Sequence, residues 1–200
     1  MAIDGLVLRD PKESQRGPKR ALLYTATGER LKQAFRRPTT SPFGPTSYER
    51  ESLETRKGFA VLVTEELSDF FTSLDVWARA YVQEHSKRLF GKELNEEQVA
   101  KAYVSCLKKR EDAPELVRLK INMAEPKACL FWNKAKEEIE PPGSWEDLPV
   151  KMNVLVSHLW VMGTGAQVQF GLVCIVEDVM VMRKTRVCPE ALADDDEDDE

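Results

Sequence analysis

The chain has 200 residues, 32% of them charged, and a mean hydropathy of -0.43, which sets a prior of one domain with tails and excludes a polytopic membrane protein. Its four cysteines lie 23, 45 and 14 residues apart, neither metal-ligand nor redox-motif spacing, and read as reduced structural thiols. The net charge of -5 hides an asymmetry: the last seven residues, Asp194, Asp195, Asp196, Glu197, Asp198, Asp199 and Glu200, are all acidic, and the remainder carries a net +2.

The first 37 residues hold nine Lys/Arg against four acids, so the chain begins basic and ends polyacidic. That asymmetry suggests a polyanion-binding body with a competing tail. The other reading is a tail that only keeps the protein soluble. The N-terminus has no long apolar run behind a basic start, so it predicts a non-secreted, intracellular protein.

Residues 1–19, with Pro11, Gly17 and Pro18, read as a flexible basic arm. Residues 20–187 read as one domain, and 188–200 as a disordered acidic tail. Ala21–Phe35 predicts two short strands around a Thr-Gly turn. Arg36–Tyr48 holds three prolines and a glycine and predicts a loop. Lys57–Val63 is a strand candidate. Thr64 is placed to cap a long helix, with Glu65 and Glu66 at the positive end of its dipole. Leu67, Phe70, Phe71, Leu74, Trp77, Ala78 and Tyr81 then recur at helical spacing, a core face rather than a base-stacking ladder, and the helix ends near Phe90–Gly91.

Asn95 and Gln98 have capping-box spacing and open a second helix, which runs to Asp112–Pro114. Leu116–Met123 alternates as a strand, with Val117, Leu119, Ile121 and Met123 on one face and Arg118, Lys120 and Asn122 on the other. Ala128–Trp132 is another strand, and Glu138–Pro149 a Pro/Gly loop carrying Trp145.

Between Lys151 and Glu177 no residue carries a formal charge, which is long enough for a membrane helix. The stretch is rich in valine, however, and turns at Met162–Gln167. Its halves alternate: Lys151, Asn153 and Ser157 oppose Met152, Val154 and Val156, and Gln167, Gln169 and Glu177 oppose Val168, Phe170, Leu172 and Val176. This predicts a long hairpin and no membrane span. The whole pattern predicts a mainly β (α+β) fold, an OB-like partly open barrel with one long amphipathic helix and a shorter helix inserted.

Enzyme chemistry is missing from the motifs: there is no phosphate-cradling glycine loop, nucleophile elbow or zinc-binding helix motif. With two histidines in the chain, His158 beside Trp160 reads as a satisfied structural side chain rather than a catalytic one. No cofactor, metal or enzymatic activity is expected. The residues suit a binding surface better. Arg118, Lys120 and Lys151 point from polar strand faces, and Arg36, Arg37, Arg183, Lys184 and Arg186 flank the folded part. Tyr24, Phe35, Phe43, Tyr48, Trp132, Trp145 and Trp160 are rings that need not all be core. Cations that track phosphates, interleaved with rings that stack bases, suit a sequence-tolerant single-strand binder.

Leu148–Met182 resembles the closing hairpin of the single-stranded DNA-binding proteins of short-tailed phages. In both, a lysine-bearing strand, a tryptophan, a glycine-containing turn and a strand ending apolar–acid–x–apolar follow in order, and the chain ends in an acidic run. Ser41–Pro45 (SPFGP) and the following strand and helix resemble that family's Phe-Gly segment. The chain is also similar to a family of large algal DNA viruses through Pro-Phe-Gly, Leu89–Lys92, a lysine-bearing strand and the closing Trp…Phe-Gly-Leu. These resemblances cover about residues 40–200.

They imply an OB barrel with a non-enzymatic role in replication or recombination. They also imply a tail that docks on replication proteins such as polymerase or helicase. Lys151 matches the strand lysine that faces DNA, Trp160 the tryptophan near the turn, and His158 falls near a strand tyrosine. With the cations and rings read from the strand faces and flanks, the expected nucleic-acid face comprises Lys151, Trp160, His158, Lys120, Arg118, Trp132, Arg36 and Arg37. The partner is single-stranded DNA, with RNA and a homodimer left open, and the nucleus or a viral replication site is the expected compartment. The spacing from Lys151 to Trp160 differs from the family pattern by one residue, so the two share a face only if a bulge absorbs it. The competing class is an acidic-tailed interaction protein, such as a histone chaperone or an assembly factor, that uses the tail as its main site.

Overall fold

The computed structural model describes residues 5–9, 18–46, 56–163 and 167–182. Within the segment expected as an arm, β1 (Val7–Leu8) pairs with β2 (Lys19–Tyr24), while 10–17 lie outside the described residues. The acidic tail, Arg183, Lys184, Arg186, Tyr48 and the hairpin turn 164–166 also lie outside them.

The uncharged stretch forms the expected hairpin, β10 (Pro149–Met162) against β11 (Gln169–Val181). No helix among the described residues is long and apolar enough to cross a membrane. On one edge of β10 lie β2 and β3 (Lys32–Thr40) end to end, interrupted by the Thr25–Glu29 turn. On the far edge of β11 three segments follow one another in parallel. They are β6 (Tyr103–Val104), β8 (Ala113–Asn122) and β9 (Leu130–Trp132). β8 pairs in turn with β5 (Arg56–Leu62), and β5 with β4 (Pro45–Thr46).

The circuit β3–β10–β11–β8–β5 returns to β3 through a seam of side chains instead of a ladder. Thr39 Oγ1 donates to the Leu62 carbonyl at 2.6 Å, and Ser41 Oγ to the Ala60 carbonyl at 2.7 Å. The result is the expected α+β, OB-like, partly open barrel. A second opening lies between β8 and β11, whose ladder holds only Lys120–Ile175 and Ile121–Val176. The N-terminal half of β8 pairs instead with β7 (Leu107–Arg110).

Helix α1 (Glu65–Phe90) starts where Thr64 accepts from the Leu67 N–H and stops at Gly91, whose left-handed conformation no other residue adopts as readily. Its buried face (Leu67, Phe70, Phe71, Leu74, Ala78, Val82) joins one core with the inward residues of the hairpin and β8. Phe35, expected as a candidate interface ring, is part of that core. It lies 5.4 Å from Phe70 and 6.2 Å from Phe71, between ring centroids. Helix α2 (Glu96–Ala102) carries the capping box of Asn95 and Gln98.

Two boundaries depart from expectation. Arg36–Thr40, read as loop because of its prolines, continues β3. Arg36, Arg37 and Pro38 stand opposite Lys151 alone, between the pairs Val150–Thr39 and Met152–Phe35. This wide bulge is tolerated because Pro38 has no N–H to place, and the N–H groups of Arg36 and Arg37 both reach Glu66 Oε2 at 3.0 Å. The second helix, expected to reach Asp112–Pro114, ends at Ala102. Asp75 of α1 draws the chain outward there, accepting from Tyr103 Oη at 2.6 Å and Ser105 Oγ at 2.5 Å, and β6 and β7 follow.

Phe35→Ala should destabilise the fold by about 3–5 kcal/mol, the usual cost of truncating a core Phe, read as a fall in the urea midpoint at unchanged m-value. A loss under about 1 kcal/mol would mean that this ring does not join helix to barrel.

Candidate nucleic-acid interface

The outer face of the sheet is set by two bulges in the hairpin. In β11, Glu177 is the extra residue, because Asn153 pairs with Asp178 and Val154 with Val176. In β10, Ser157 is the extra residue, because Val156 pairs with Cys174 and His158 with Val173. A bulge re-phases the alternation beyond it. Lys151, Asn153 and Leu155 therefore face outward before Ser157, and His158, Trp160 and Met162 after it. The inward set is Val150, Met152, Val154 and Val156, then Leu159 and Val161, all buried. The one-residue spacing difference is thus absorbed, and Lys151 and Trp160 lie on one face.

The bulge at Ser157 is held from the edge of β10 that faces β2 and β3. Val156 donates its N–H to the Leu31 carbonyl at 2.9 Å. Arg30 Nη2 donates to the Ser157 carbonyl at 2.8 Å, and the Arg30 guanidinium lies 5.5 Å from the centroid of the Tyr24 ring. Such a bulge frees a carbonyl, and here a cation occupies it.

Three groups follow one another along the face. At one end, Trp160 shares a cleft with Arg118, Lys120 and Phe43. The indole fits there because its β11 partner is Gly171. A Cβ on Gly171 would stand 3.0 Å from Trp160 Nε1 and 2.6 Å from the Val104 carbonyl. In the middle, Arg30, Lys32, Arg56 and Lys127 converge around Ser157 and Asn122. Lys32 is paired with the bulge residue Glu177 at 2.7 Å, and Arg56 Nε donates to Asn122 Oδ1 at 3.1 Å. At the other end, Trp132, Lys151, Arg36 and Lys136 line a groove. Asp178 fixes this end, accepting from Trp132 Nε1 at 3.2 Å and from Asn153 Nδ2 at 3.0 Å.

Of the eight residues expected on a nucleic-acid face, the fold brings Trp160, Arg118 and Lys120 to one end and Lys151, Trp132 and Arg36 to the other. Arg37 goes elsewhere: its guanidinium pairs with Glu65 at the start of α1, and the hydrogen bond to that carboxylate, then its charge, raises the Arg37 pKa further. His158 lies on the outer face between Leu22 and Val173 but is only 6% exposed, with Nδ1 3.0 Å from Ser157 Oγ. Burial lowers its pKa to about 4, and the positive charges of Arg20, Arg56 and Arg30 push the same way. It is a neutral side chain inside a cationic surface.

Sequence reasoning misses Arg20, Arg30 and Arg56, which stand outside the alternating stretches that give facing. It marks Phe43 as a ring but not as a site residue. The signal for Phe43 is the Pro-Phe-Gly-Pro turn, which holds a large apolar side chain where it is 63% exposed.

No protein-family model and no curated protein matches the chain. Among solved structures, the fold is similar to gp2.5, a single-stranded DNA binding protein encoded by bacteriophage T7. The TM-score is 0.52 at 12% identity, over 80% of this chain and 97% of that one. The single-stranded DNA-binding protein from bacteriophage Enc34 is more distant, with a TM-score of 0.44 at 10% identity, over 94% of this chain and 96% of that one. The same Enc34 protein in complex with ssDNA gives 0.43 at 9% identity, over 87% and 94%. The likeness to gp2.5 is a likeness of fold. This chain has the barrel that the motif order of its C-terminal third implied.

The sign of the His158 shift fixes a pH dependence. Its folded pKa, about 4, lies below the ordinary value of 6.5, so between these values the unfolded chain binds the extra proton. Stability should fall as pH drops from 6.5 toward 4. His158→Gln should remove that part of the slope, read by urea unfolding of both proteins at about pH 7 and about pH 5. Equal slopes in the two proteins would show that the imidazole is not held neutral.

Proposed function

We propose that the protein binds single-stranded DNA without sequence preference along the outer face of the barrel, as a binding module in replication or recombination and not as an enzyme. One observation carries this reading: the Ser157 bulge puts Lys151 and Trp160 on the same face, with Trp132, Arg118 and Lys120 beside them. Rings at both ends and cations between them are what a flexible polyanion with exposed bases needs. Each stacked base is worth about 1–3 kcal/mol, and each cation that neutralises a phosphate releases counterions. From Lys151 to Trp160 the face spans about 26 Å at about 3.3 Å per residue, with the bulge adding no length, enough for several nucleotides. The likeness of fold to gp2.5 supports the same reading.

The acidic run Asp194–Glu200 acts here as a phosphate mimic. It competes for the cationic face when DNA is absent and is offered to a basic replication partner, such as a polymerase or helicase, when DNA displaces it.

Filter binding to labelled oligo(dT) across a salt series tests the face. With about four phosphate contacts, log K should fall against log salt with a slope of about -3. Lys151→Glu and Lys120→Glu should each weaken binding on every sequence alike and flatten the slope by about 1. If neither substitution changes affinity or slope, this face does not meet the backbone. Removing Asp194–Glu200 should tighten binding at low salt and have little effect at high salt, where the tail's attraction is screened. Equal or weaker binding by the truncated chain at low salt would refute the competitor role.

A further inference from the structure

The cleft at the Trp160 end has a feature that a phosphate track alone does not need. Among its lining residues are the two smallest side chains of β5, Gly58 and Ala60. Gly58 pairs with Lys120 and Ala60 with Arg118, so beside each cation on the outer face stands a residue with one side-chain carbon or none. Phe43 and Trp160 line the same cleft, and the strand order β10–β11–β8–β5–β4 puts them on opposite sides of it. A single exposed phenylalanine is ordinary on a protein surface. This one rides on a turn pinned at three points. Ser41 Oγ donates to the Ala60 carbonyl at 2.7 Å and accepts from the Gly44 N–H at 3.0 Å. Gly44, in the left-handed conformation, lies so close to Trp145 that a Cβ would stand 2.7 Å from its ring. Trp145 is itself anchored against Phe59 and Phe131, 5.1 and 6.0 Å away between centroids. The pinned turn therefore presents the ring to solvent beside a depression, with two cations among its lining residues.

We infer that this cleft is a seat for one nucleobase, with Phe43 as its stacking partner and Ala60, and Gly58 beside Thr46, as small lining residues that leave room for it. The inference rests on the single-strand reading above and names the subsite where a base, rather than the backbone, is recognised. Arg118 and Lys120 fit the occupant, because a base in the seat brings its own phosphate to the rim. Phe43 adds affinity at little entropic cost, since its turn is already fixed. A seat lined mostly by apolar side chains, with Thr46 and the two cations at its side, offers little base-specific hydrogen bonding, in keeping with sequence tolerance.

Two substitutions and two ligands test it. Ala60→Leu fills the cleft beside Arg118, and Phe43→Ala removes the stacking ring from an exposed position where the fold does not depend on it. Each variant should bind oligo(dT) roughly tenfold more weakly than the parent chain, with an unchanged salt slope. Both should bind an oligomer of the same length made entirely of abasic sites as tightly as the parent does. Parent-like binding of oligo(dT) by both variants would overturn the seat. So would an equal loss on the abasic oligomer, which would mean that the cleft handles backbone. Failure of the parent chain itself to bind oligo(dT) would overturn the broader reading, and the seat with it.

Discussion

The outer face of the hairpin depends on one extra residue. Without Ser157 as a bulge, the alternation along β10 would run unbroken from Lys151, and Trp160 would point into the core while Leu159 met solvent. With it, an uninterrupted apolar row lines the barrel and a mixed aromatic and cationic row faces out. The bulge is not left to chance. The carbonyl it frees is taken by Arg30, and the preceding N–H by the Leu31 carbonyl. The second bulge, at Glu177, does the same for β11 and turns Asp178 toward Trp132 and Asn153. Ladder irregularities that cost backbone pairing thus create the surface, and the groups that repair them belong to it.

The rest of the fold leaves that face open by covering the opposite one. Helix α1 packs its aromatic row on Phe35 and contributes Glu66 and Asp75, whose carboxylates hold two irregular segments, the Arg36–Pro38 bulge and the start of β6. The barrel closes at the β3–β5 seam through Thr39 and Ser41 and stays parted between β8 and β11. Both incomplete edges lie near the Trp160 cleft. Ser41 serves the seam and the Phe43 turn alike, so the strength of the closure and the position of the exposed ring are coupled through one hydroxyl.

Much of this was legible in the sequence because it rests on local rules. The caps at Thr64, Gly91 and Asn95 are read from residue type. The alternation of Leu116–Met123 and of the hairpin gives facing directly, and the fold class followed from those elements. What was not legible depends on distant partners. Whether the Lys151–Trp160 spacing ends in a bulge is decided by Arg30 and Leu31, more than 120 residues away in the chain. The prolines of Arg36–Thr40 argue for a loop until Glu66 takes the spare N–H groups. Helix α2 ends early because Asp75 of another helix captures Tyr103 and Ser105. Phe35 and Phe43 have the same chemistry, and only Trp145 and the Phe70–Phe71 pair send one ring out and the other in.

The central claim, that the outer face carrying Trp160 and Trp132 meets the ligand, is most directly tested with the chain's own four indoles. Trp77 lies along α1 and Trp145 behind the Phe43 turn, both packed against the core, while Trp160 and Trp132 line the two ends of the face. The measurement is an NMR titration of the indole N–H resonances with oligo(dT). Trp160 and Trp132 should shift strongly, and Trp77 and Trp145 little. Unmoved Trp160 and Trp132 resonances at saturating oligo(dT), or large shifts confined to Trp77, would contradict the claim.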